Sequence, residues 1–447
     1  MRRCFFLSMS RGRGLRTTAR TNSSVPKPPP ASKPSLELDS KPRSSPLIGS
    51  SAEVIPIPTS RYTDPPALPN FPRGFEVHKF DIAAVPEDAP AELVTLFAYY
   101  NSMLEALRAQ FPDWPQSFET PSPPIHKVCP IKGTGLGIVA VADIAAGETI
   151  VRERPYILLP LVLPAPFLGF VDGLEDAMHP ENYADVYALK NSRRDKDPME
   201  ELRGIIVTNS LRAGPFPTYE ATYGGLARDI SRANHSCHPN AHHTFDAATL
   251  SHSLRALHSI RAGEEITISY LGCAPLLPYE ERQKLFKNSR QSFKCTCKFC
   301  RLKETAREDS ETRRRFILFG LRRTEFMEQL YELFEEWLAE GAPAMQSVPR
   351  TCVHGGGLFL NILEVVESMW SFMVQEEFYE PCSWEPILAL LVKGHAVLEN
   401  EERVQYFATK AAELRTAYTG SDGGWRAVAA NPRQTHWWGK LGEKRKM

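Results

Sequence analysis

The chain has 447 residues, 42% of them hydrophobic and 24% charged, which is room for two or three domains with sizeable cores. Its 53 basic and 53 acidic residues cancel, so the overall charge points neither to direct nucleic-acid binding nor to an anionic membrane. The run nearest to a membrane span, residues 156–171, is interrupted by three prolines and falls short of roughly 18–20 apolar residues. Nine cysteines, an odd and sparse set, fit an intracellular chain with reduced thiols better than an oxidised scaffold.

The first 36 residues hold Arg2, Arg3, Arg11, Arg13, Arg16, Arg20, Lys27 and Lys33 and no acidic residue. That composition fits a mitochondrial presequence and equally a disordered basic arm. The segment PKPPPASKP cannot fold alone. Residues 1–75 are therefore expected to be a disordered, proline-rich arm, with the nucleus, the cytoplasm and the mitochondrion all open as compartments. In residues 76–123, Leu93, Leu96, Phe97, Tyr100, Met103, Leu104 and Leu107 recur at helical spacing. With Asp88 as a cap, Pro90 in the first turn and Pro112 as a stop, they predict one amphipathic helix over 88–112.

Residues 124–301 change to short strands and turns. The stretches 137–155 and 253–270 share a rhythm, a β-rich run, Ile-x-Ala-Gly-Glu, then another β-rich run. Gly147 and Gly263 offer the positive φ of a tight turn, so both stretches are expected to be hairpins. Residues 172–213 between them are more polar and partly helical in pattern. From 302 to 447 the pattern is helical, with helices expected over 316–340, 357–378, 385–398 and 403–418 and antiparallel neighbours. The run Arg313–Arg314–Arg315 there reads as a solvated face.

Chemistry gathers at residues 231–243, SRANHSCHPNAHH. Its lone Cys237 gains a purpose from FKCTCKFC at 293–300. Cys295, Cys297 and Cys300 supply three thiolates, and a structural zinc site takes four in a tetrahedron. Cys237, 58 positions upstream of Cys295, is the fourth that a returning chain could deliver. His238, His242 and His243 are weaker rivals as ligands. Cys4, Cys129, Cys273, Cys352 and Cys382 read as packing residues.

GLGIVAVADIAAGE, SRANHSCHPNA, EEITISY and FKCTCKFC, in that order, resemble a SET-domain protein-lysine methyltransferase. The Cys-x-Cys-x2-Cys tail and the helical C-terminal region look most like the SMYD group and its fungal relatives. SMYD proteins usually insert a MYND zinc finger in the early half of the domain. Residues 156–225 hold no cysteine, so that finger and the partners it recruits are not expected. The resemblance implies an α+β fold, a SET domain of small β-sheets with a pseudo-knot and a post-SET zinc site, followed by an α-helical C-terminal region. It implies S-adenosyl-L-methionine and Zn2+ as cofactors, and a protein lysine, histone or non-histone, as acceptor.

By the same resemblance, Gly135, Leu136 and Gly137 form the first cofactor-binding turn. Asn234 and His235 bind the cofactor, Phe293 packs on its adenine, with Phe299 the weaker candidate, and Tyr270 is the catalytic tyrosine. Cys237, Cys295, Cys297 and Cys300 hold the zinc. A phenol with an ordinary pKa near 10 is a poor base at neutral pH, so Tyr270 is expected to position and polarise. Two other readings stand beside this one. The chain could be a catalytically inactive SET-fold zinc-binding scaffold, or a Cys–His hydrolase with Cys237 as nucleophile, which requires an exposed, activated thiol. No oligomer signal stands out, so a monomer is expected.

Overall fold

The two Ile-x-Ala-Gly-Glu stretches organise the middle of the molecule by pairing with each other. The structure is a computed structural model. It describes residues 81–440 apart from 86–89, 91–92, 100, 162–173, 175–176, 193–200, 218–221, 271, 273, 290, 323, 344–360 and 380. The expected basic arm over 1–75 lies outside the described residues, as do Asp88 and Tyr100 of the expected helix.

The first stretch contributes β4 (Gly135–Ala140) and β5 (Thr149–Glu153), the second β11 (Ser251–Ala256) and β12 (Glu265–Ile268). Neither stretch closes on itself. β12 pairs antiparallel with β4, and β11 pairs antiparallel with β5. The corners meet at a bridge between Ile144 and Ile260, whose N–H groups donate to each other's carbonyls at 2.8 and 2.9 Å. Each corner is held internally by its glutamate: Glu148 accepts from the N–H of Ala145, and Glu264 from that of Arg261, both at 2.8 Å. Gly147 and Gly263 take φ of +80° and +87° as expected. The hairpin expectation fails because residues 141–148 and 257–264 separate the strands. Connections of that length exceed the 2–5 residues that close hairpins, and each strand finds its partner in the other stretch instead.

Three sheets result. One has the order β3 (His126–Ile131), β4, β12 and β9 (Asn234–His235). A second has β10 (Ala241–Asp246), β11 and β5. The third has β1 (Asp81–Val85), β2 (Thr95–Tyr99), β6 (Ile157–Pro160), β8 (Tyr223–Leu226) and β7 (Leu211–Ala213). The buried side chains Ile138, Ile150, Leu254, Ile260 and Ile266 fill the space between the first two sheets.

β2 corrects the expected helix over 88–112. Only its second half is helical, as α1 (Asn101–Gln110). Residues 95–99 are a strand paired antiparallel with β1 and parallel with β6. Both faces of this strand are covered: Leu96 and Ala98 enter one core while Phe97 enters another. A strand buried on both faces is continuously apolar, and its residues then match a helical pattern by accident.

Two short helices, α2 (Pro180–Tyr187) and α3 (Glu201–Asn209), lie in the polar stretch between β6 and β7. After β12 come α4 (Tyr279–Asn288), α5 (Glu304–Arg322), α6 (Thr324–Ala339), α7 (Ile362–Glu376), α8 (Pro381–Val397), α9 (Glu401–Thr419) and α10 (Trp425–Ala430). The helix expected over 316–340 is thus split between α5 and α6. α7 to α9 are rich in buried Leu, Val, Trp and Met and share one core with α5 and α6. This helical layer is docked onto the sheets. Tyr418 of α9 packs its ring 4.1 Å from that of His242 on β10. No helix among the described residues is long and apolar enough to cross a membrane.

The Arg313–Arg315 run is also not a solvated face. The Arg314 side chain is fully buried, and its Nε donates to the equally buried Glu376 carboxylate at 2.6 Å. Arg313 and Ser310 donate to the same carboxylate at 2.7 Å each. Helical periodicity turns the middle of three adjacent arginines inward, where only a buried counter-charge makes it tolerable. The Arg314 guanidinium also donates to the carbonyls of Cys237 and Pro275 and lies 4.6 Å from the Phe299 ring centre. It therefore ties α5 and α7 to the Asn-His-Ser-Cys segment. Arg314→Met should leave Glu376 under-compensated and lower the unfolding free energy by about 3 kcal/mol or more. Adding Glu376→Leu should restore much of that loss. Denaturant unfolding of both variants checks this, and a single-variant loss below about 1 kcal/mol would contradict it.

Candidate active site and metal centre

The Asn-His-Ser-Cys segment is fixed at both ends before any functional side chain is placed. It is entered through a 3-10 turn, Ile230–Arg232. The Glu153 carboxylate at the end of β5 accepts from the N–H groups of Asp229 and Ile230 at 3.0 and 2.7 Å, satisfying the turn's free donors. Burial pushes this carboxyl up to about 7. Asp229 is held in turn by His126 at 2.9 Å. The segment then runs as β9, parallel to β12, with Asn234 opposite Thr267 and His235 opposite Ile268. Ser236 continues the pairing by donating to the Ile268 carbonyl at 3.0 Å. Asn240 closes the far end: its amide donates to the Glu265 carbonyl and accepts from the Thr267 N–H, both at 2.8 Å.

Asn234 faces the β3–β4 turn. Its amide nitrogen reaches Thr134 Oγ1 and the Leu136 carbonyl at 3.2 Å each and Glu265 Oε1 at 2.8 Å. Gly137 permits this approach. A Cβ there would lie 2.6 Å from Ile131 Cγ1 and 2.7 Å from Asn234 Nδ2, closer than real atoms come. Gly135 adopts φ +95°, a backbone open to glycine and few others. These residues are not the expected turn but the first half of β4, paired with residues 129–131; Gly135 and Leu136 are exposed and Gly137 is buried.

His235 is locked by two contacts. Its Nδ1 accepts from the Tyr270 N–H at 3.1 Å, which puts its proton on Nε2, 3.5 Å from the Cys237 sulfur. Burial pulls its pKa down to about 4, so the ring is neutral at physiological pH. Tyr270 donates its hydroxyl proton to the Ala233 carbonyl at 2.8 Å. Burial, aided by Glu265, raises that hydroxyl beyond the ordinary phenol range. Tyr270 is thus a neutral phenol with lone pairs to offer and no capacity as a base near pH 7.

An aromatic cluster joins these residues. Ring centres lie 5.4 Å apart for His235 and Tyr270, 5.6 Å for His235 and Phe293, and 5.8 Å for Tyr270 and Phe293. Phe286 of α4 stacks on Phe293 at 5.0 Å and completes the group from beneath. Phe299 belongs elsewhere, against His238 and Arg314, so Phe293 is the aromatic residue that meets Tyr270.

Cys237, Cys295, Cys297 and Cys300 converge, with all four sulfurs within 4.8 Å of one another. Cys237 Sγ is 3.8 Å from that of Cys295 and 3.7 Å from that of Cys300. Those separations are far too long for a disulfide. They match the edge of about 3.8 Å that a tetrahedron has when a metal holds sulfurs at roughly 2.3 Å. Hydrogen bonding among the thiols, first with Cys295, and burial push the Cys237 thiol far above its ordinary range. Four thiolates in one buried group repel one another unless a cation lies among them, and the donor set and its spacing fit zinc.

Cys237 is fully buried and faces sulfurs, which removes the exposed nucleophile that a Cys–His hydrolase requires. Of the rival histidines, His242 packs on Tyr418 and His243 bonds His252, while His238 bonds Ser236 and approaches Cys297 from outside the four-sulfur group. Cys4, Cys273 and Cys352 lie outside the described residues, and Cys129 is half-buried outside the cluster. The structure adds residues that the sequence did not single out. Glu265 and Asn240 hold the loop, and Gln283 grips the Cys295 backbone through both amide atoms at 3.0 and 3.2 Å. Phe286 and Arg282 complete the cluster. Their one trace in the sequence is the short helix immediately before the cysteine tail.

Residues 135–271 match the family model described as SET domain. The chain carries a SET domain. The match spans Asn234, His235, Cys237 and Tyr270, and ends before Phe293 and the tail cysteines. Over 197 residues, 44% of this chain and 56% of the relative, it is 29% identical to "Histone-lysine N-methyltransferase set5" of Schizosaccharomyces pombe. Over 80 residues, 18% of each chain, it is 40% identical to "Histone-lysine N-methyltransferase SMYD3" of Homo sapiens. Over 88 residues, 20% of each chain, it is 39% identical to "Protein-lysine N-trimethyltransferase SMYD5" of Gallus gallus. The chain thus spans about half the length of the fungal relative and about a fifth of the animal ones. The matched region is similar to these SMYD proteins over 80–88 residues and is followed here by a helical region.

The four-cysteine cluster predicts one tightly held zinc per chain. Cys297→Ser should lower that stoichiometry to a small fraction and reduce thermal stability. Elemental analysis of both proteins after dialysis measures this, and an unchanged zinc content in the variant would exclude the four-thiolate site.

Proposed function

We propose that the chain is an S-adenosyl-L-methionine-dependent protein-lysine N-methyltransferase. The observation that carries the reading is the β9–β12 pairing. It holds Asn234, His235 and Tyr270 together beside the start of β4 at residues 135–137, with Phe293 closing the aromatic side.

The residues present fit the methyl donor. The exposed start of β4 at Gly135 and Leu136, backed by Gly137 and the Asn234 amide, is a polar edge suited to the amino-acid part of the ligand. Half-buried Phe293 offers a flat ring to the adenine. Both His235 ring nitrogens are engaged within the protein, so its contribution to binding falls to its backbone. When bound, S-adenosyl-L-methionine supplies an electrophilic methyl group on a positively charged sulfur.

The protein must then present a neutral lysine amine in line with that group. With an ordinary pKa near 10.4, deprotonation at pH 7 costs about 4–5 kcal/mol. Burial and a neighbouring positive charge both favour the neutral amine, so no strong base is needed. Tyr270 suits this task. Its proton is committed to Ala233, and its oxygen lone pairs can accept from the amine and orient it. The zinc that Cys237, Cys295, Cys297 and Cys300 would hold has a structural role. It pins the segment bearing Phe293 against the loop bearing His235.

The acceptor we propose is a lysine side chain on a protein. The relatives' names place histones first among acceptors to test and leave other proteins open. Radiolabelled methyl transfer onto core histones and a panel of other lysine-rich proteins tests the reading. The zinc-loaded wild type should transfer label to lysine. Tyr270→Phe should lose at least about 100-fold in rate, with zinc content and circular dichroism unchanged. Wild-type turnover by Tyr270→Phe would remove the role given to that hydroxyl, and label on no lysine at all would remove the activity.

A further inference from the structure

Arg282 sits on α4 with 2% of its surface exposed, between exposed Glu281 and half-buried Gln283. Its Nη1 donates to the Leu277 carbonyl at 2.5 Å, and its Nη2 donates to the Cys300 sulfur at 3.8 Å. Its Nε is buried with no hydrogen-bond partner. Among the described residues no carboxylate pairs with it. The contrast with Arg314 is informative: that guanidinium is equally buried, but it is matched by Glu376. A buried cation without a counter-charge is strongly unfavourable. Neutral thiols would not compensate Arg282. A divalent metal held by four thiolates would, because that centre carries a net charge of about −2.

Two histidines also reach the sulfurs: His238 approaches Cys297 and has the Glu377 carboxylate 3.9 Å away, and His235 approaches Cys237. His235 Nε2 lies 3.5 Å from Cys237, and its Nδ1 accepts from the Tyr270 N–H, so the ring carries a single proton. Arg314 reaches the Cys237 carbonyl and not its sulfur. Lys298, next to Cys297, is exposed and pairs with Glu377 at 2.8 Å. Arg282 is therefore the fully buried guanidinium that reaches a sulfur with no carboxylate partner among the described residues.

We propose that Arg282 is the charge partner of the four-cysteine centre. Its guanidinium offsets part of the tetrathiolate's negative charge and withdraws electron density from Cys300, so the buried centre retains its metal. This positioning role rests on the reading of the cluster as a metal site. Residues around metal ligands commonly change affinity by about ten- to a hundredfold when replaced.

Cobalt(II) and zinc are the probes, used on the full chain with Arg282→Met, Arg282→Gln and Arg282→Lys. Wild type should bind one cobalt(II) and show tetrahedral d–d bands with an intense sulfur-to-cobalt charge-transfer band. In Arg282→Met and Arg282→Gln the charge-transfer band should move to longer wavelength, because the sulfurs become more electron-rich. The d–d bands should stay in place. Zinc affinity, measured by chelator competition, should fall about ten- to a hundredfold. Arg282→Lys keeps the charge and should lie between these variants and wild type in both readouts. Failure of wild type to bind either ion would overturn the metal reading itself. Normal wild-type binding, with band position and affinity unchanged in Arg282→Gln and Arg282→Met, would overturn the role of Arg282 alone. Should Arg282→Met not fold, Arg282→Gln and Arg282→Lys still decide it: equal losses in the two would show that shape matters and not charge.

Discussion

The parallel pairing of Asn234–His235 with Thr267–Ile268 is the interaction on which the site depends. It is only two residues long, and so short a ladder has little stability of its own. It survives because its surroundings are over-determined. Glu153 caps the turn before it, Asn240 stitches the chain after it, and Tyr270, two residues beyond β12, donates its N–H to His235. The next residue but one, Cys237, then enters a buried group of four sulfurs. Release of the loop would therefore disturb the polar edge at Asn234, the aromatic cluster and the metal ligands together.

The chemistry was legible in the sequence where residue types are irreplaceable. Three closely spaced cysteines lack a fourth ligand, and Cys237 is the one the fold brings to them. Gly137 is needed because nothing larger fits between Ile131 and Asn234. Tyr270 and Phe293 lie within one aromatic group. The supporting residues were not legible. Arg282 and Gln283 act on a sulfur, a carbonyl and backbone groups contributed by other segments, and no local pattern reports those partners.

The fold was legible by element type and less so by pairing. Each Ile-x-Ala-Gly-Glu stretch was visible as strand, corner and strand. Alternation specifies which face a residue occupies but not which strand it pairs with. The exchange of partners between the two stretches is a long-range choice, visible only in the bridge from Ile144 to Ile260. β2 was hidden for the opposite reason. A strand covered on both faces loses its alternation and imitates a helix. Arg314 shows the same limit for charge, since a run of arginines usually faces water. The carboxylate that draws this one inward, Glu376, is 62 residues away.

The central claim is that the Asn234–His235 segment and the start of β4 at residues 135–137 together bind a methyl donor. Calorimetric titration of S-adenosyl-L-methionine into zinc-loaded protein, with Asn234→Ala alongside, tests it most directly. The account predicts one site per chain in the wild type and loss of measurable binding in a variant that keeps its fold and its zinc. Folded, zinc-loaded wild type that binds no S-adenosyl-L-methionine would contradict it and leave the SET domain as a zinc-stabilised scaffold for its helical region.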